Sequence, residues 1–517
     1  MVSPFLIAAT IGLVFVLQRV IGALRILHSV DYLPGHRTVL GFRSILYYLL
    51  PQIRGVKLSR NWLFEEGHKT FEEVGWDAYS AITFWPNLQH NIYIADAEAI
   101  KDLATTRRFP KPVKIYEAIN LYGHNIVSTE GDLWKKYRKI SGPSFSEKNN
   151  KLVWEETLRI VDDLTENVWD NKDAVVEHGV DITLPLALLV IGRSSGFGQR
   201  VTWEDNNSSK PGHHQLTFRE ALHSTASELI YNFILPNWVK ALPHPRLRKI
   251  RQATSELSDY MREMIQDRQT SEVQDRHDLF SSLIHANKEE VELAALTEEE
   301  LMGNIFIFLV AGHETTAHTL SFSFALLALY PNIQEKLFQH IKEVIPDGRR
   351  PTYEDMPNLT YVMAVYNESL RLFSPAMTKK APEDTSIIVG NSHNDEKKRI
   401  PIPKGTHLTI HVPGVQRNPR YWENPDEFMP ERFLGNWNKD ALVAFSVGPR
   451  ACLGRKFNET EGVAALASLI SRYKIEIKDE PQFKHETFEE RKSRILKTQV
   501  VLTLSPKRLP LVFKRRS

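Results

Sequence analysis

Met1 to Leu17 is an almost uninterrupted apolar run, broken by Gln18 and Arg19, resumed at Val20–Leu24 and closed by Arg25. About 20 helical residues cross the hydrocarbon core of a bilayer. Phe5–Leu24 reaches that length with Arg19 snorkelling to one interface. A cleaved signal peptide carries its basic residues ahead of the apolar run and a small-residue cleavage site behind it. Here Arg19, Arg25, Arg37 and Arg43 follow the run. That asymmetry predicts a signal anchor over residues 1–25, with residues 26–517 on the cytosolic side. A further apolar stretch, Ile305–Gly312, runs into His313 and Glu314 and reads as a buried helix of a folded domain.

Beyond a turn at Pro34-Gly35, helical periodicity marks Leu152–Asp170, Phe218–Tyr231, Ile250–Arg268, Thr297–Tyr330, Ile333–Val344 and Leu359–Phe373. Strand-like runs lie at Ile92–Ile94, Ser386–Val389, His407–Val412 and Gln499–Leu504. Thr202–His214, rich in Asn, Ser, Pro and Gly, reads as a surface loop. There is no linker, repeat or low-complexity tract, so the expected fold is mainly α with small β-sheets, in one large domain behind the anchor.

Composition narrows the function. With 65 Lys+Arg against 63 Asp+Glu in 517 residues, the net charge of +2 gives nucleic acid no global attraction. The only cysteine is Cys452, which excludes an intrachain disulfide and any zinc site needing two thiolates. It is either a small core residue or a special ligand or nucleophile. Five Asn-x-Ser/Thr sequons, at Asn206, Asn207, Asn358, Asn367 and Asn458, are chance matches in a cytosolic domain.

The long helix beginning at Thr297 opens with a capping box, Thr297 to Glu300, and ends at Tyr330-Pro331. Its middle reads Ala311-Gly312-His313-Glu314-Thr315-Thr316-Ala317-His318. A zinc hydrolase is disfavoured: zincin ligands are four apart on a helix, whereas His313 and His318 are five apart and point about 140° away from each other. Gly312 leaves room for a bulky group against the backbone. Glu314 and Thr315 then form an acid–alcohol pair suited to moving protons, or Thr315 bonds the preceding turn's carbonyl at a kink.

Glu368 and Arg371 share one helix face, with Arg432 of Pro430-Glu431-Arg432-Phe433 as a third partner. Alone, such a pair reads as a surface salt bridge. The segment from Phe445 to Arg455 brackets Cys452 with Gly448 and Gly454, which permit tight turns or positive φ, and places Arg450 nearby. A helical pattern begins at about Leu453, and a sulfur just before a helix N-terminus is stabilised as the thiolate.

This segment resembles the haem-binding signature of the cytochrome P450 superfamily, membrane-anchored microsomal type. Ala311–Thr316 resembles its oxygen-activation motif, Glu368–Arg371 its Glu-x-x-Arg motif and Pro430–Phe433 its Pro-x-Arg-Phe motif. Trp134 and Arg138, on a helix expected to be capped at Thr129 with Asp132, match its Trp-x-x-x-Arg motif. The resemblance spans roughly residues 120–460 and implies the cytochrome P450 fold. It implies haem as cofactor, with Cys452 as the axial thiolate that favours O–O cleavage. Phe445 would shield the sulfur within the loop shaped by Gly448 and Gly454. Trp134, Arg138 and Arg450 would contact the haem propionates, and Lys379 stands where many members carry an arginine. Thr315 would hydrogen-bond bound dioxygen and Glu314 would relay protons, whereas Glu368, Arg371 and Arg432 are structural in the family.

The implied reaction is monooxygenation of an apolar small molecule at the endoplasmic reticulum membrane. The motif wording is similar to that of fungal secondary-metabolite members. No Gly-x-Gly-x-x-Gly follows a strand, so electrons are expected from a separate NADPH-cytochrome P450 reductase, with cytochrome b5 as a further donor. Lys135, Lys136, Lys139, Arg455 and Lys456 offer a basic face for docking, or simply a solvated one. Pocket positions are expected near Pro112–Val127, around Thr202–His214, at Ile305–Thr315, Pro375–Met377 and Ile495–Leu496. Ile305, Phe306, Phe308, Leu309, Val310 and Met377 favour a terpenoid, sterol or fatty-acyl skeleton. The rival reading is a haem-thiolate isomerase or dehydratase that needs neither O2 nor NADPH, against which the Glu314–Thr315 pair argues.

Overall fold

The computed structural model of the protein describes residues 3–516 except 42–43, 45, 48–49, 54, 60, 107, 199–202, 204–213, 230, 232–234, 236, 271–277, 289–294, 375–376, 382 and 502, and except the side chains of 237, 288, 377–378 and 380. The expected loop at Thr202–His214 falls almost wholly outside the described residues, as do Pro375, Ala376 and the Met377 side chain. Two compact units divide the chain: Met1–Pro112 with Ser374–Glu427 and Trp437–Ala451, and Val113–Phe373 with Phe428–Asn436 and Cys452–Ser517.

The first unit opens with helix α1, Pro4–Ser29, whose proline sits at the helix start where its missing N–H is harmless. Its 26 residues span about 39 Å, and its apolar side chains are exposed almost throughout. A mixed five-stranded sheet follows, in the order Arg37–Leu40, Ala78–Trp85, Gln89–Ile94, His407–Ile410, Met377–Lys380. Ala78 to Ile82 are all buried, so this strand lacks the alternation that marks a half-exposed one. Helix α2, Ala97–Thr105, starts where the Asp96 carboxylate accepts the Ala99 amide at 2.8 Å.

The second unit is helical, with a three-stranded antiparallel sheet ordered Ala174–Val176, Leu511–Arg515, Tyr473–Ile477. Its helices include α3 (Gly131–Ser141), α4 (Glu147–Asp163), α5 (Val180–Ser194), α6 (Glu298–Leu329), α7 (Pro331–Val344), α8 (Thr360–Leu372) and α9 (Arg455–Arg472). Helix α6 has the expected capping box between Thr297 and Glu300 and stops before Pro331. It packs most extensively on α5, and Phe322 stacks on Phe373 with ring centroids 3.8 Å apart.

Several expectations change. Helix α5 escapes the periodicity reading, because it is apolar on every side and carries Pro185 inside it. Gln499–Leu504 is not one strand but a hairpin, Thr498–Val500 against Leu504–Pro506. Thr129 does not cap α3: its hydroxyl donates to the Asn125 carbonyl at 2.8 Å, and Glu130 occupies the cap position without a side-chain bond to the helix's first amides. Helix α9 begins at Arg455, two residues later than the sequence suggests.

Candidate functional site

Helix α6 is buried at every position from Leu301 to Leu329 except Ala311, Gly312, Thr315 and Ala328. Positions 311, 312 and 315 share one face, so a notch with small side chains opens in an otherwise packed helix. On the facing side of the turn, a Cβ at Gly312 would run into Ile191 Cδ1 of α5, so a larger residue there would require that side chain to shift. Thr315 Oγ1 donates to the Ala311 carbonyl at 2.7 Å. The kink-type bond and the acid–alcohol pair therefore coexist.

Glu314 is 1 % exposed, and its Oε2 has no hydrogen-bond partner among the described residues. Burial alone pushes its carboxyl up to about 7. His313 and His318 serve different neighbours. His313 Nδ1 lies 2.7 Å from the Leu309 carbonyl and His318 Nδ1 lies 2.6 Å from Thr503 Oγ1. Burial lowers them to about 4 and about 3, so both are neutral at physiological pH.

Cys452, just ahead of α9, is accessible to solvent although protein surrounds the sulfur on most sides. Burial raises the thiol above its ordinary value. The Gly454 amide and the Arg138 and Arg455 charges oppose that shift. The free thiol is thus protonated at neutral pH, and binding a metal cation is what would deprotonate it. Arg138 lies over the Trp134 ring, 5.9 Å from its centroid, on α3.

In the first unit, Phe445 and Arg450 are half-buried, and Gly448 starts a 3-10 turn with φ of 74°. A Cβ at Gly448 would meet the Ala104 carbonyl at 2.7 Å, so glycine is required twice over. Gly454, in contrast, has φ of −87° and room for a Cβ 3.6 Å from Phe145, so it does not supply the positive φ anticipated for it. Its amide toward the sulfur is what it contributes. Lys379 is buried on a strand in register with Leu408.

The expected structural triad is present within the second unit. Glu368 and Arg371 are both 0 % exposed and joined at 2.6 and 2.8 Å, and Arg432 Nε reaches Glu368 at 3.2 Å. The Met429 amide adds a further bond at 2.9 Å. The pair is buried, which corrects its reading as an ordinary surface bridge. The basic face is also partly engaged: Lys135 pairs with Asp132, Lys136 with Glu300 and Arg455 with Glu459. Of the expected pocket positions, Ile305 to Val310 and Ile495 are packed against protein, leaving Ala311, Gly312 and Thr315 as the accessible part of Ile305–Thr315.

Sequence reading missed Asn304. Its Oδ1 accepts the Ile126 amide at 3.0 Å and its Nδ2 donates to the Glu300 carbonyl at 2.8 Å, clipping the loop before α3 to α6. A Cβ at Gly303 would meet the Gly123 carbonyl at 2.5 Å, which shows how closely that loop lies. An asparagine and a glycine inside an apolar helix were the available signal.

The donor set fits a haem-thiolate centre: one accessible sulfur under positive charge, and a helix notch of small residues beside an unpartnered buried acid. The family model for cytochrome P450 matches residues 55–502. Over 93 % of this chain and 94 % of the relative, 48 % of residues are identical to cytochrome P450 monooxygenase 124 of Postia placenta. A cyclooctat-9-en-7-ol 5-monooxygenase of Streptomyces melanosporofaciens is 33 % identical over 46 % of this chain and half of that one. A solved cytochrome P450DA heme domain superposes with a TM-score of 0.73 at 22 % identity, covering 94 % of this chain and 98 % of that one, a likeness of fold.

Proposed function

The chain belongs to the cytochrome P450 family and is a monooxygenase with a haem-thiolate cofactor; on that premise we propose that the Cys452 thiolate would hold the haem iron and that the notch at Ala311, Gly312 and Thr315 is where oxygen would be activated. The observation that carries this reading is that notch, open in a helix buried nearly everywhere else and flanked by the unpartnered acid Glu314. When bound, the haem supplies the binding of O2 and its reductive cleavage, one oxygen entering the substrate and the other leaving as water.

The chain's own residues do the rest. Glu314, held neutral below about pH 7 by burial, keeps a proton one residue from Thr315. Thr315 presents its hydroxyl at the accessible face of α6. Arg138 and Trp134 of α3, with Arg450 and Lys379, are assigned to the propionates, where an arginine fork suits a carboxylate. Phe445, Gly448 and Gly454 shape the loop that presents and shields the sulfur.

The substrate is assigned to apolar terpenoid, sterol or fatty-acyl skeletons of secondary metabolism. The small, uncharged residues Ala311 and Gly312 at the accessible notch support this, as does the relative named a cyclooctat-9-en-7-ol 5-monooxygenase. Electrons come from an NADPH-dependent reductase, with cytochrome b5 as a second donor. Residues 1–25 are read as the single-pass endoplasmic reticulum anchor and 26–517 as the haem domain facing the cytosol.

A reduced carbon-monoxide difference spectrum of the full chain tests the centre. The strongly red-shifted Soret band of a thiolate-bound haem is expected in the native protein and is lost in Cys452→Ala. A native spectrum without that band rejects the reading. Turnover that proceeds without NADPH would instead support the isomerase or dehydratase.

A further inference from the structure

A buried polar bridge ties α6 to α8 and α9, on a side of α6 about 100° around the helix from Thr315. Tyr366 Oη donates to Asn458 Oδ1 at 2.9 Å, and Asn458 Nδ2 donates to Thr316 Oγ1 at 2.8 Å. Thr316 Oγ1 in turn lies 3.4 Å from the Gly312 carbonyl, while Thr319 Oγ1 donates to the Thr315 carbonyl at 2.8 Å. The Tyr366 hydroxyl also interacts with Thr319. The bridge therefore touches the turn from Gly312 to Thr319 at both ends. Asn458 is 6 % exposed, Thr316 1 % and Tyr366 0 %.

The three helices are shaped for it. A Cβ on Gly462 would sit 2.3 Å from Tyr366 Cε2 and Cζ. The tyrosine ring is rigid and fully buried, so it could not yield; glycine lets it lie directly on the backbone of α9. One turn from Asn458, Glu461 is fully buried with neither carboxyl oxygen in hydrogen-bond geometry, although the Thr316 hydroxyl stabilises its charged form. Burial holds that acid far above its usual range, so it is neutral. Solvent does not reach the bridge, and hydrogen bonds in so dry a place are stronger and more directional in effect. Apolar side chains of equal size would pack these helices together as well; what the polar chain adds is one fixed register.

We propose that Asn458 is a positioning residue for oxygen activation: bridged by Tyr366, it clamps Thr316, and with it the Gly312–Thr315 turn, to the helix that begins three residues after Cys452. The proposal rests on the monooxygenase reading above. Glu314 and Thr315 lie on the clamped turn, so its register sets where their proton-bearing atoms stand, and displacements near 1 Å are costly to such chemistry.

Tyr366→Phe and Thr316→Val remove the bridge's two end hydroxyls and Asn458→Leu removes both of its central links, each at nearly constant shape, and Thr316→Ser keeps the hydroxyl. Hydrogen exchange is read on the full-length protein, with carbon monoxide as the probe ligand for infrared spectra of the reduced form. The first three variants are expected to accelerate amide exchange between residues 312 and 319 by about fivefold to tenfold, the effect of one lost hydrogen bond. They should also broaden or split the carbon-monoxide stretch, whereas Thr316→Ser leaves both unchanged. Tyr366→Phe combined with Asn458→Leu should have less effect than the sum of the two single variants, because both cut the Tyr366–Asn458 link and the double variant loses in addition only the contact of Tyr366 with Thr319. Unchanged exchange, or acceleration spread over the whole protein, overturns the clamp. Lack of the red-shifted Soret band in the native protein would reject the monooxygenase reading, while the exchange data still decide whether the turn is clamped.

Discussion

Glu314 is a carboxyl group placed where water cannot solvate its charge, and the sign of its effect follows from that. Its ordinary value of 4.5 becomes about 7 in the fold through burial alone. Below about pH 4.5 the acid is neutral both folded and unfolded, and no penalty arises. As pH rises from about 4.5 to about 7 the unfolded chain ionises while the folded one does not, and stability falls; above that the loss is constant at about 3 kcal/mol. Glu314→Gln cannot ionise. Its stability relative to the native protein should therefore improve by about 3 kcal/mol between pH 4.5 and pH 8, read from urea midpoints at the two pH values. An equal difference at both pH values would mean that Glu314 is solvated. The same protonation governs its proposed role. Product formed per NADPH should decline in the native enzyme as pH rises through about 7, and should be low and pH-independent in Glu314→Gln. Thr315→Ala should keep the red-shifted Soret band but divert NADPH into peroxide; a fully coupled Thr315→Ala enzyme removes the threonine from proton delivery.

At the scale of elements, the triad of Glu368, Arg371 and Arg432 fixes α8 to the 3-10 turn Pro430–Phe433. Glu368→Gln keeps the shape but removes the carboxylate charge that faces two guanidinium groups, that of Arg371 buried and that of Arg432 nearly so, which should destabilise by about 3–5 kcal/mol and lower haem retention, seen as a fall in thermal midpoint and in Soret absorbance per chain. Replacing Glu368 and Arg371 together by Leu and Met should cost less than Glu368→Gln alone; a larger loss would show that the pair contributes net stability. Nothing in the spacing of Glu368 and Arg371 distinguishes this buried pair from an exposed one, which is why the sequence places them on one face yet misjudges their burial. Local chemistry was legible: the capping box at Thr297, the stop at Pro331 and the cysteine loop are each written within a few residues. Helix α5 was not, because an all-apolar segment has no period and Pro185 argues against a helix. The strand Ala78–Trp85 was hidden for the same reason, being buried on both faces over most of its length. Asn304 and Asn458 act only through the helix or loop that packs against them; Gly303-Asn304 at least interrupts an apolar helix, whereas no local pattern announces Asn458. Asn458 even reads as a sequon, although its side chain is buried in the bridge.

At the scale of the whole molecule, α1 is the feature most at odds with a water-soluble protein. It is long and apolar enough to cross a membrane, and its most apolar stretch is not buried by the rest of the protein. Its later half nevertheless touches the sheet of its own unit: Phe15 meets Trp85 edge-on at 5.9 Å, Arg19 donates to the Pro86 carbonyl at 3.1 Å, and Ala23 is buried. Tyr32, Val39, Leu46, Leu50, Ile53 and Trp85 are further exposed large apolar residues of the same unit. Burying them in lipid would add to the anchor, at about 25 cal/mol per Å2 of apolar surface removed from water. Deleting residues 1–29 should therefore change the mode of membrane attachment rather than abolish it. The full chain should resist extraction by alkaline carbonate, whereas the truncated chain should be extracted yet still co-sediment with phospholipid vesicles. Trp85→Ser on the truncated chain should lower that residual binding by roughly tenfold, the effect of withdrawing one large aromatic from lipid. A truncated chain that stays carbonate-resistant would show that α1 is not the anchor. One that ignores vesicles altogether would show that the exposed apolar patch makes no contact with lipid.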